Sequence, residues 1–327
     1  MNGRRVPSAR AHVPARLVAL LLLVLAALAG SAAAPAVAGE RGDRAQRALP
    51  VVYHSVPGVT ASLASPGASP PGANDFTCRS TVRPRPVVLL HGTHVNMAIN
   101  WNTLSPLLKN NGYCVFALNY GGLKAGQVGG TGDIPTSGRE LAAFVDRVLA
   151  VTGAREVDLV GHSQGGTLAQ YYVKFLGGAP KVDSLVGLAP TSHGSTALGF
   201  DRGIRALFRI FPALDGLASA LDPAARQQLR GSDFINTLNS LPDTVPGVRY
   251  TTLATQYDPV VTPYTSQFLD GPGARNITVQ SRCANDFSDH LALAFDHVAL
   301  REVLNALDPG TARAPDCSAP VWPVFGG

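Results

Sequence analysis

The sequence lacks the patterns that mark metal-binding, nucleic-acid-binding and repeat proteins. Its 327 residues contain only four cysteines, with no C-x-x-C pair and no histidine at ligand spacing, so we expect no metal site. No basic run interleaved with aromatic residues is present, and we therefore expect no nucleic-acid partner. No internal repeat is visible. No motif calls for a cofactor, and we expect none.

A hydrophobic run long enough to span a membrane is also missing. Residues 17–28 are almost all Leu, Ala and Val, but a spanning helix takes about 20 apolar residues. Basic residues precede this run, and Ala36-Val37-Ala38 follows it as an A-x-A cleavage site. This order predicts a signal peptide over residues 1–38 and a secreted protein without stable membrane insertion. An N-terminal membrane anchor is the alternative, and Arg4-Arg5 fits twin-arginine export less well than general secretion.

The excess of positive charge belongs mostly to that N-terminal segment. The chain has 27 basic and 22 acidic residues, and four arginines but no acids lie in residues 1–38. The remainder carries 27 − 4 = 23 basic and 22 acidic residues, a net charge of about +1. The charge therefore gives no reason to expect binding to nucleic acid or to anionic membranes.

The four cysteines of an exported protein predict two disulfides. Four cysteines allow three connectivities, so the pairing stays open at this level. Joining near neighbours gives Cys78–Cys114 and Cys283–Cys317. Each bond would close a loop of about 35 residues and contribute ~3–4 kcal/mol in the chain-entropy model.

Short apolar runs alternate with helical patterns from residue 86 onwards. The runs that we interpret as buried strands cover residues 87–90, 114–118, 157–160, 185–188, 250–254 and 277–280. The intervening helical segments cover residues 101–108, a stretch that follows a capping box at Ser137 and Glu140, a segment ending at Leu176, and 298–307. The alternation predicts an α/β fold with a mostly parallel sheet and helices on both faces.

Two segments stand apart from this pattern. Residues 39–75 are rich in Gly, Pro, Ala and Ser and predict an N-terminal arm ahead of one catalytic domain over 76–327. Residues 191–246 are too long for a simple connection and contain an apolar stretch over 204–221. We interpret 191–246 as a small helical cap over the active site, with ordinary surface helices packed on the sheet as the alternative.

The segment Gly161-His162-Ser163-Gln164-Gly165 fits the G-x-S-x-G pattern. In an α/β-hydrolase fold this turn lifts a nucleophilic serine out of a strand and into a helix. The motif occurs easily by chance, but here a predicted strand precedes it and a predicted helix follows it. Glycines suit a strained turn whose flanks pack closely. We therefore predict Ser163 as a catalytic nucleophile.

A serine hydroxyl needs a base that an acid orients, and in this fold the order is serine, acid, histidine. Asp258 follows the strand at 250–254 and is the candidate acid, although a loop aspartate making a local turn is the alternative. His290 and His297 are the histidines downstream of it. We prefer His290, because it lies between a strand and the last helix, whereas His297 stands at the start of that helix. His91 precedes Gly92 and is interpreted as a residue that shapes its loop.

An oxyanion hole needs two backbone N–H donors. One is expected from Gln164, the residue after the nucleophile, and the other from the loop after the strand at 87–90. Thr93 is the candidate in that loop, since Gly92 permits the turn that directs the next N–H inward.

Taken together, these segments resemble the secreted bacterial lipases of class 2. The resemblance rests on His91-Gly92-Thr93, Asn100-Trp101, Ser163-Gln164-Gly165-Gly166, Asp258 and Asp289-His290, and it runs from about residue 76 to 317. It implies Ser163, Asp258 and His290 as triad and Thr93 and Gln164 as oxyanion hole. It also implies the pairing Cys78–Cys114 and Cys283–Cys317.

The expected activity is therefore hydrolysis of carboxylic esters through an acyl-enzyme, with no cofactor. The apolar stretch 204–221 favours a triacylglycerol lipase that meets its lipid substrate at an oil–water interface as a monomer. A short-chain esterase and a cutinase-like polyester depolymerase are alternatives within this chemistry. An inactive hydrolase fold that binds lipid is the alternative outside it.

Overall fold

The computed structural model describes residues 48–122, 128–197 and 222–324. The predicted signal peptide, the first part of the predicted arm and the apolar stretch 204–221 lie outside these ranges. No helix within them is both long enough and apolar enough to cross a membrane.

The centre of the fold is a six-stranded parallel sheet in the order β2-β1-β3-β4-β5-β6. The strands are β1 Val87–Leu90, β2 Val115–Leu118, β3 Val157–His162, β4 Val182–Leu188, β5 Arg249–Ala254 and β6 Ala274–Thr278. Each predicted run overlaps a strand, which confirms the α/β fold. The last prediction is displaced, because 277–280 runs past β6 into a 3₁₀ turn at Val279–Ser281.

Eight α-helices are described around the sheet. They are α1 Val56–Ala64, α2 Met97–Trp101, α3 Leu104–Asn110, α4 Ile134–Thr152, α5 Gln164–Phe175, α6 Pro223–Gln227, α7 Asp233–Leu238 and α8 His297–Leu307. Apolar residues alternate between the two faces of a strand, and in β1 this puts Val87 and Leu89 on one face and Val88 and Leu90 on the other. The first face packs with α2, α3 and α8, and the second with α4, α5 and α7. Helices thus cover both faces, as predicted.

The predicted single helix over 101–108 is wrong. The chain instead forms α2 and α3, separated at residues 102–103. The Asn102 side chain donates to the carbonyl of His54, and the Thr103 hydroxyl donates to the carbonyl of Val52. These two bonds anchor the N-terminal segment at the break between α2 and α3.

The predicted capping box at Ser137 and Glu140 is also wrong. Helix α4 begins one turn earlier, where the Asp133 carboxylate accepts from the N–H of Thr136 and a proline follows the cap. Ser137 is already inside the helix and donates to the Asp133 carbonyl. The Glu140 carboxylate accepts from the N–H of Gly121 instead.

The described end of the predicted arm contains helix α1, which packs on α2. A Cβ on Gly58 would come within 2.6 Å of the Ala98 carbonyl oxygen, so glycine allows this close approach. The Asn96 side chain donates to the Ser62 hydroxyl at 2.6 Å. This part of the arm therefore shares its packing with the domain, unlike a free linker.

Both expected disulfides are present. Cys78–Cys114 links the segment ahead of β1 to the start of β2, and Cys283–Cys317 links the loop after β6 to the C-terminal segment. The near-neighbour pairing is thus confirmed.

Candidate active site

The predicted site residues gather at the carboxyl edge of the sheet, where parallel strands deliver their loops. Ser163 follows β3, Thr93 follows β1, Asp258 follows β5, and His290 lies on the loop between β6 and α8. Ligand sites of parallel sheets lie outside this edge.

Ser163 sits on a strained turn between β3 and α5. Its φ of 53° and ψ of −124° are unusual for a residue with a side chain, and its N–H donates to the Leu188 carbonyl at 2.8 Å. The flanking glycines are required sterically. A Cβ on Gly161 would lie 2.3 Å from the backbone of Gly165, and one on Gly165 would lie 2.1 Å from the Leu90 carbonyl oxygen. The turn predicted from the motif is therefore present.

Asp258 is buried and accepts four hydrogen bonds. Its Oδ2 lies 2.8 Å from His290 Nδ1 and 2.8 Å from Gln267 Nε2. Its Oδ1 accepts from the backbone N–H groups of Val260 and Val261, both at 2.8 Å. Because an ionised carboxylate only accepts, Nδ1 carries the proton of a neutral His290 ring and Nε2 is left as the acceptor.

Ser163 and His290 line the same cavity, which has a volume of about 400 Å³. The Ser163 side chain reaches it although the residue is only 6% exposed. Most of the described wall is apolar, and it includes Val95, Ala197, Ala225, Leu229, Val260 and Leu291. The site thus joins a nucleophile, a base and an apolar binding space.

Thr93 lies on the wall of this cavity beside Gly92. Its hydroxyl oxygen accepts from Gln164 Nε2 at 3.1 Å and from Gln228 Nε2 at 2.9 Å. Gln164 is the first residue of α5, so its backbone N–H is among those that a helix leaves unpaired. Thr93 thus lines the same cavity as Ser163, and Gln164 directly follows Ser163 in the chain.

The two other candidate histidines take part in the fold. His91 is fully buried, stacks on Tyr120 at 4.3 Å, donates from Nδ1 to the Gly92 carbonyl and accepts at Nε2 from the Tyr120 N–H. Burial lowers the pKa of His91 to about 4, so the ring is neutral. His297 is the first residue of α8, and its Nε2 lies 2.9 Å from the Asp316 carbonyl oxygen.

His162 and Asn100 are parts of the site that the sequence reasoning did not assign. His162 Nε2 lies 2.9 Å from the His290 carbonyl oxygen, and Nδ1 lies 3.0 Å from Asn100 Oδ1. The same Asn100 oxygen accepts from the N–H of Gly92 at 2.9 Å. Burial is the main cause that lowers the pKa of His162 to about 3, so the neutral ring donates to one of its two neighbours. His162 is the first variable residue of G-x-S-x-G, and this place beside Ser163 was the signal that could have identified it.

Gln228 and Gln267 were also missed. Gln228 directly follows α6, lines the cavity and accepts from the Thr191 hydroxyl while donating to Thr93. Gln267 ends a 3₁₀ turn at Tyr264–Gln267 and contacts Asp258. Neither stands in a motif, so the sequence held no signal for them.

The described parts of 191–246 divide between the two interpretations of that segment. Helix α6 borders the cavity through Ala225, as a cap would. Helix α7 instead packs against α5, where the ring centroids of Phe234 and Tyr171 lie 5.5 Å apart. No cluster of His, Cys, Asp or Glu large enough to hold a metal ion occurs in the described ranges.

The parallel sheet and the turn that carries Ser163 define an α/β-hydrolase fold. Residues 84–301, more than half of the chain, match the model of the lipase family, class 2. The chain belongs to this family.

Three relatives that this chain resembles in sequence are triacylglycerol lipases. That of Pseudarthrobacter phenanthrenivorans is 33% identical over 114 residues, covering 33% of this chain and 33% of the relative. That of Vibrio cholerae serotype O1 is 31% identical over 157 residues, covering 43% of this chain and 48% of the relative. The chain thus spans about a third to a half of the length of these curated relatives.

The fold is similar to the crystal structure of Aspergillus fumigatus lipase B. The TM-score is 0.57 at 19% sequence identity, with 76% of this chain and 57% of that chain covered. At this identity the similarity supports the fold alone.

Proposed function

We propose that this protein is a secreted triacylglycerol lipase that hydrolyses carboxylic esters with Ser163 as nucleophile. The observation that carries the proposal is the strained Ser163 turn opening, together with the Asp258–His290 pair, into one apolar cavity. Membership of the class 2 lipase family and the names of the relatives support the same chemistry.

The reaction runs in two halves. His290 Nε2 takes the proton of the Ser163 hydroxyl as the serine oxygen attacks the ester carbonyl, and it then protonates the departing alcohol. A water molecule, deprotonated by the same nitrogen, releases the acid from Ser163. Asp258 holds Nδ1 throughout, so the ring keeps one tautomer and one orientation.

The negative charge on the carbonyl oxygen is stabilised by the backbone N–H groups of Thr93 and Gln164. Each such donor is typically worth ~10²–10³ in rate. The Thr93 hydroxyl accepts from two amide groups, which leaves its own proton free to point into the cavity. Thr93 therefore offers two donors.

Three observations support export and a lipid substrate. Residues 1–38 run from basic residues through an apolar stretch to an A-x-A site, an order that fits export. The two disulfides fit an oxidising compartment. The apolar cavity wall suits an acyl chain at an oil–water interface. N-terminal sequencing of the exported protein tests cleavage after Ala38.

The activity is tested by measuring hydrolysis of p-nitrophenyl esters from acetate to palmitate beside emulsified triolein. We expect turnover of the long esters and of triolein, and a loss of essentially all activity in Ser163→Ala with the thermal transition retained. Turnover confined to short esters would replace the lipase with an esterase, and release of acid from polyester particles would favour a depolymerase. An unaffected rate in Ser163→Ala would overturn the mechanism.

A serine-directed phosphonate separates an enzyme from a lipid-binding protein. We expect one label per chain, located on Ser163 by mass spectrometry and absent from Ser163→Ala. A protein that only binds lipid stays unlabelled.

A further inference from the structure

Gln267 lies fully buried against the predicted catalytic acid. Its Nε2 donates to Asp258 Oδ2 at 2.8 Å, and this is the same oxygen that accepts from His290 Nδ1. We propose that Gln267 is a positioning residue that fixes Asp258 Oδ2 in the orientation in which it holds His290. The inference rests on the proposed function, because it gives Asp258 the role of the acid.

The contacts of Asp258 explain why a donor is needed on this side. The backbone N–H groups of Val260 and Val261 hold Oδ1 and leave Oδ2 to two side chains. His290 cannot orient the carboxylate by itself, since it is the ring to be oriented. Gln267 is therefore the side chain that supplies Oδ2 with a fixed reference independent of His290.

The chemical type of the donor matters as well. An amide N–H is neutral over the whole working pH range, so it stabilises the carboxylate without a charge of its own. A lysine or arginine here would place a positive charge beside Asp258 and weaken its attraction for the imidazolium that forms at His290. A glutamine satisfies Oδ2 and leaves that attraction in place.

Gln267 is itself held by the element that carries Ser163. The backbone carbonyl of Gln267 accepts from the Ser192 hydroxyl at 3.0 Å, and Gln170 Nε2 donates to the same hydroxyl at 2.9 Å. Gln170 lies on α5, the helix that begins directly after Ser163. Hydrogen bonds through Ser192 and Gln267 thus link Asp258 to α5, the helix that begins after Ser163.

The other end of the amide argues against a purely structural role. Gln267 Oε1 is buried and has no hydrogen-bond partner among the described side chains and backbone. A glutamine present only for packing would be better replaced by an apolar residue, because a buried unpaired oxygen is unfavourable. Its N–H group is the part that the site uses.

Two variants separate positioning from packing. Gln267→Met keeps the shape and removes the donor, and we expect kcat on a soluble short ester to fall about 10- to 10²-fold with KM within about twofold of the parent. Gln267→Glu donates only while protonated. Burial and the charge of Asp258 both raise the pKa of the introduced carboxyl, so the rate of the variant should come closest to that of the parent on the acidic side of the profile and fall below it on the alkaline side, where the parent stays active.

Asn305→Leu is the matched control. Asn305 is a buried amide on α8 that bonds Arg313 through both ends and does not contact Asp258. We expect it to lower the melting temperature and leave kcat and its pH profile unchanged. Should Gln267→Met fail to fold, the alkaline decline of Gln267→Glu decides the question, with circular dichroism at each pH reporting the folded fraction.

The outcomes distinguish this inference from the proposed function. If the parent is active through Ser163, full kcat in Gln267→Met overturns the role of Gln267 alone. So does a pH profile of Gln267→Glu that runs parallel to that of the parent. A parent that neither hydrolyses esters nor reacts with the phosphonate overturns both.

Discussion

One aspartate is buried at the carboxyl ends of the parallel strands, the carboxyl edge, and another at their amino ends, the amino edge. The two carboxylates are held in different ways. At the carboxyl edge, Asp258 has four donors for its two oxygens. At the amino edge, Asp158 in β3 has Arg85 Nε 3.6 Å from Oδ2, and Oδ1 has no partner within the described structure. Burial raises the pKa of Asp158 to about 7, with Arg85 opposing the shift.

The difference shows what each edge requires. At the amino edge Arg85 also pairs with Asp183, which in turn pairs with Arg249, so the charges there join neighbouring strands. The incomplete pairing there disfavours the charged form of Asp158, as its raised pKa shows. At the carboxyl edge, the proposed role of Asp258 is to present one oxygen to one nitrogen of His290, and each of its two oxygens accepts two hydrogen bonds. Predictions that change one edge at a time test this contrast.

The same substitution at both edges gives the largest expected contrast. Asp258→Asn puts an NH₂ group among donors and favours the wrong tautomer of His290, so we expect kcat to fall by about 10⁴-fold, as in other serine triads. Asp158→Asn should keep kcat within about twofold, since Asp158 lies at the opposite edge. Initial rates on a soluble ester measure both. Equal losses would show that the two carboxylates are not functionally distinct.

A smaller loss is expected at the carboxyl edge from Asn100→Leu. The change leaves the buried N–H of Gly92 without its acceptor, which typically costs about 1–3 kcal/mol of stability, and it loosens the loop that carries Thr93. We expect kcat to fall about 10- to 10²-fold. Kinetics and thermal denaturation measure the two effects, with Asn305→Leu as a control that lowers stability alone.

The smallest effect on activity is expected at the amino edge, where the substitution changes stability instead. The pKa of Asp158 is raised in the folded state, so the folded protein binds more protons than the unfolded chain between about pH 4 and 7. Stability therefore falls as pH rises through this window, and Asp158→Asn lacks that loss. A pKa raised from 3.8 to about 7 corresponds to about 4 kcal/mol, so we expect the variant to gain about 6–12 °C in melting temperature over the parent at pH 8, relative to the difference at pH 4. A difference that stays constant with pH would contradict the assignment.

The sequence predicted the parts of the fold that depend on local composition. Strand β1 matches its predicted residues 87–90, because four consecutive apolar residues can only be buried on both faces of the sheet. The errors arose where side chains form contacts beyond the local pattern. The predicted helix over 101–108 is interrupted at residues 102–103, whose side chains bond a segment about 50 residues earlier. Helix α4 begins earlier than predicted because the Asp133 carboxylate accepts from the N–H of Thr136, whereas the Ser137 hydroxyl donates to the carbonyl of Asp133.

The sequence by itself determined the turn at Ser163 and the order of Ser163, Asp258 and His290 along the chain. The turn follows from a short apolar strand and from flanking glycines, which stand where a Cβ would come within 3 Å of backbone atoms. Only the tertiary structure decided which side chains hold Asp258 and the Gly92–Thr93 loop. Gln267 and Asn100 reach their partners because separate loops meet at one edge of the sheet. The distance between loops depends on the packing of the whole sheet, and no local pattern encodes it.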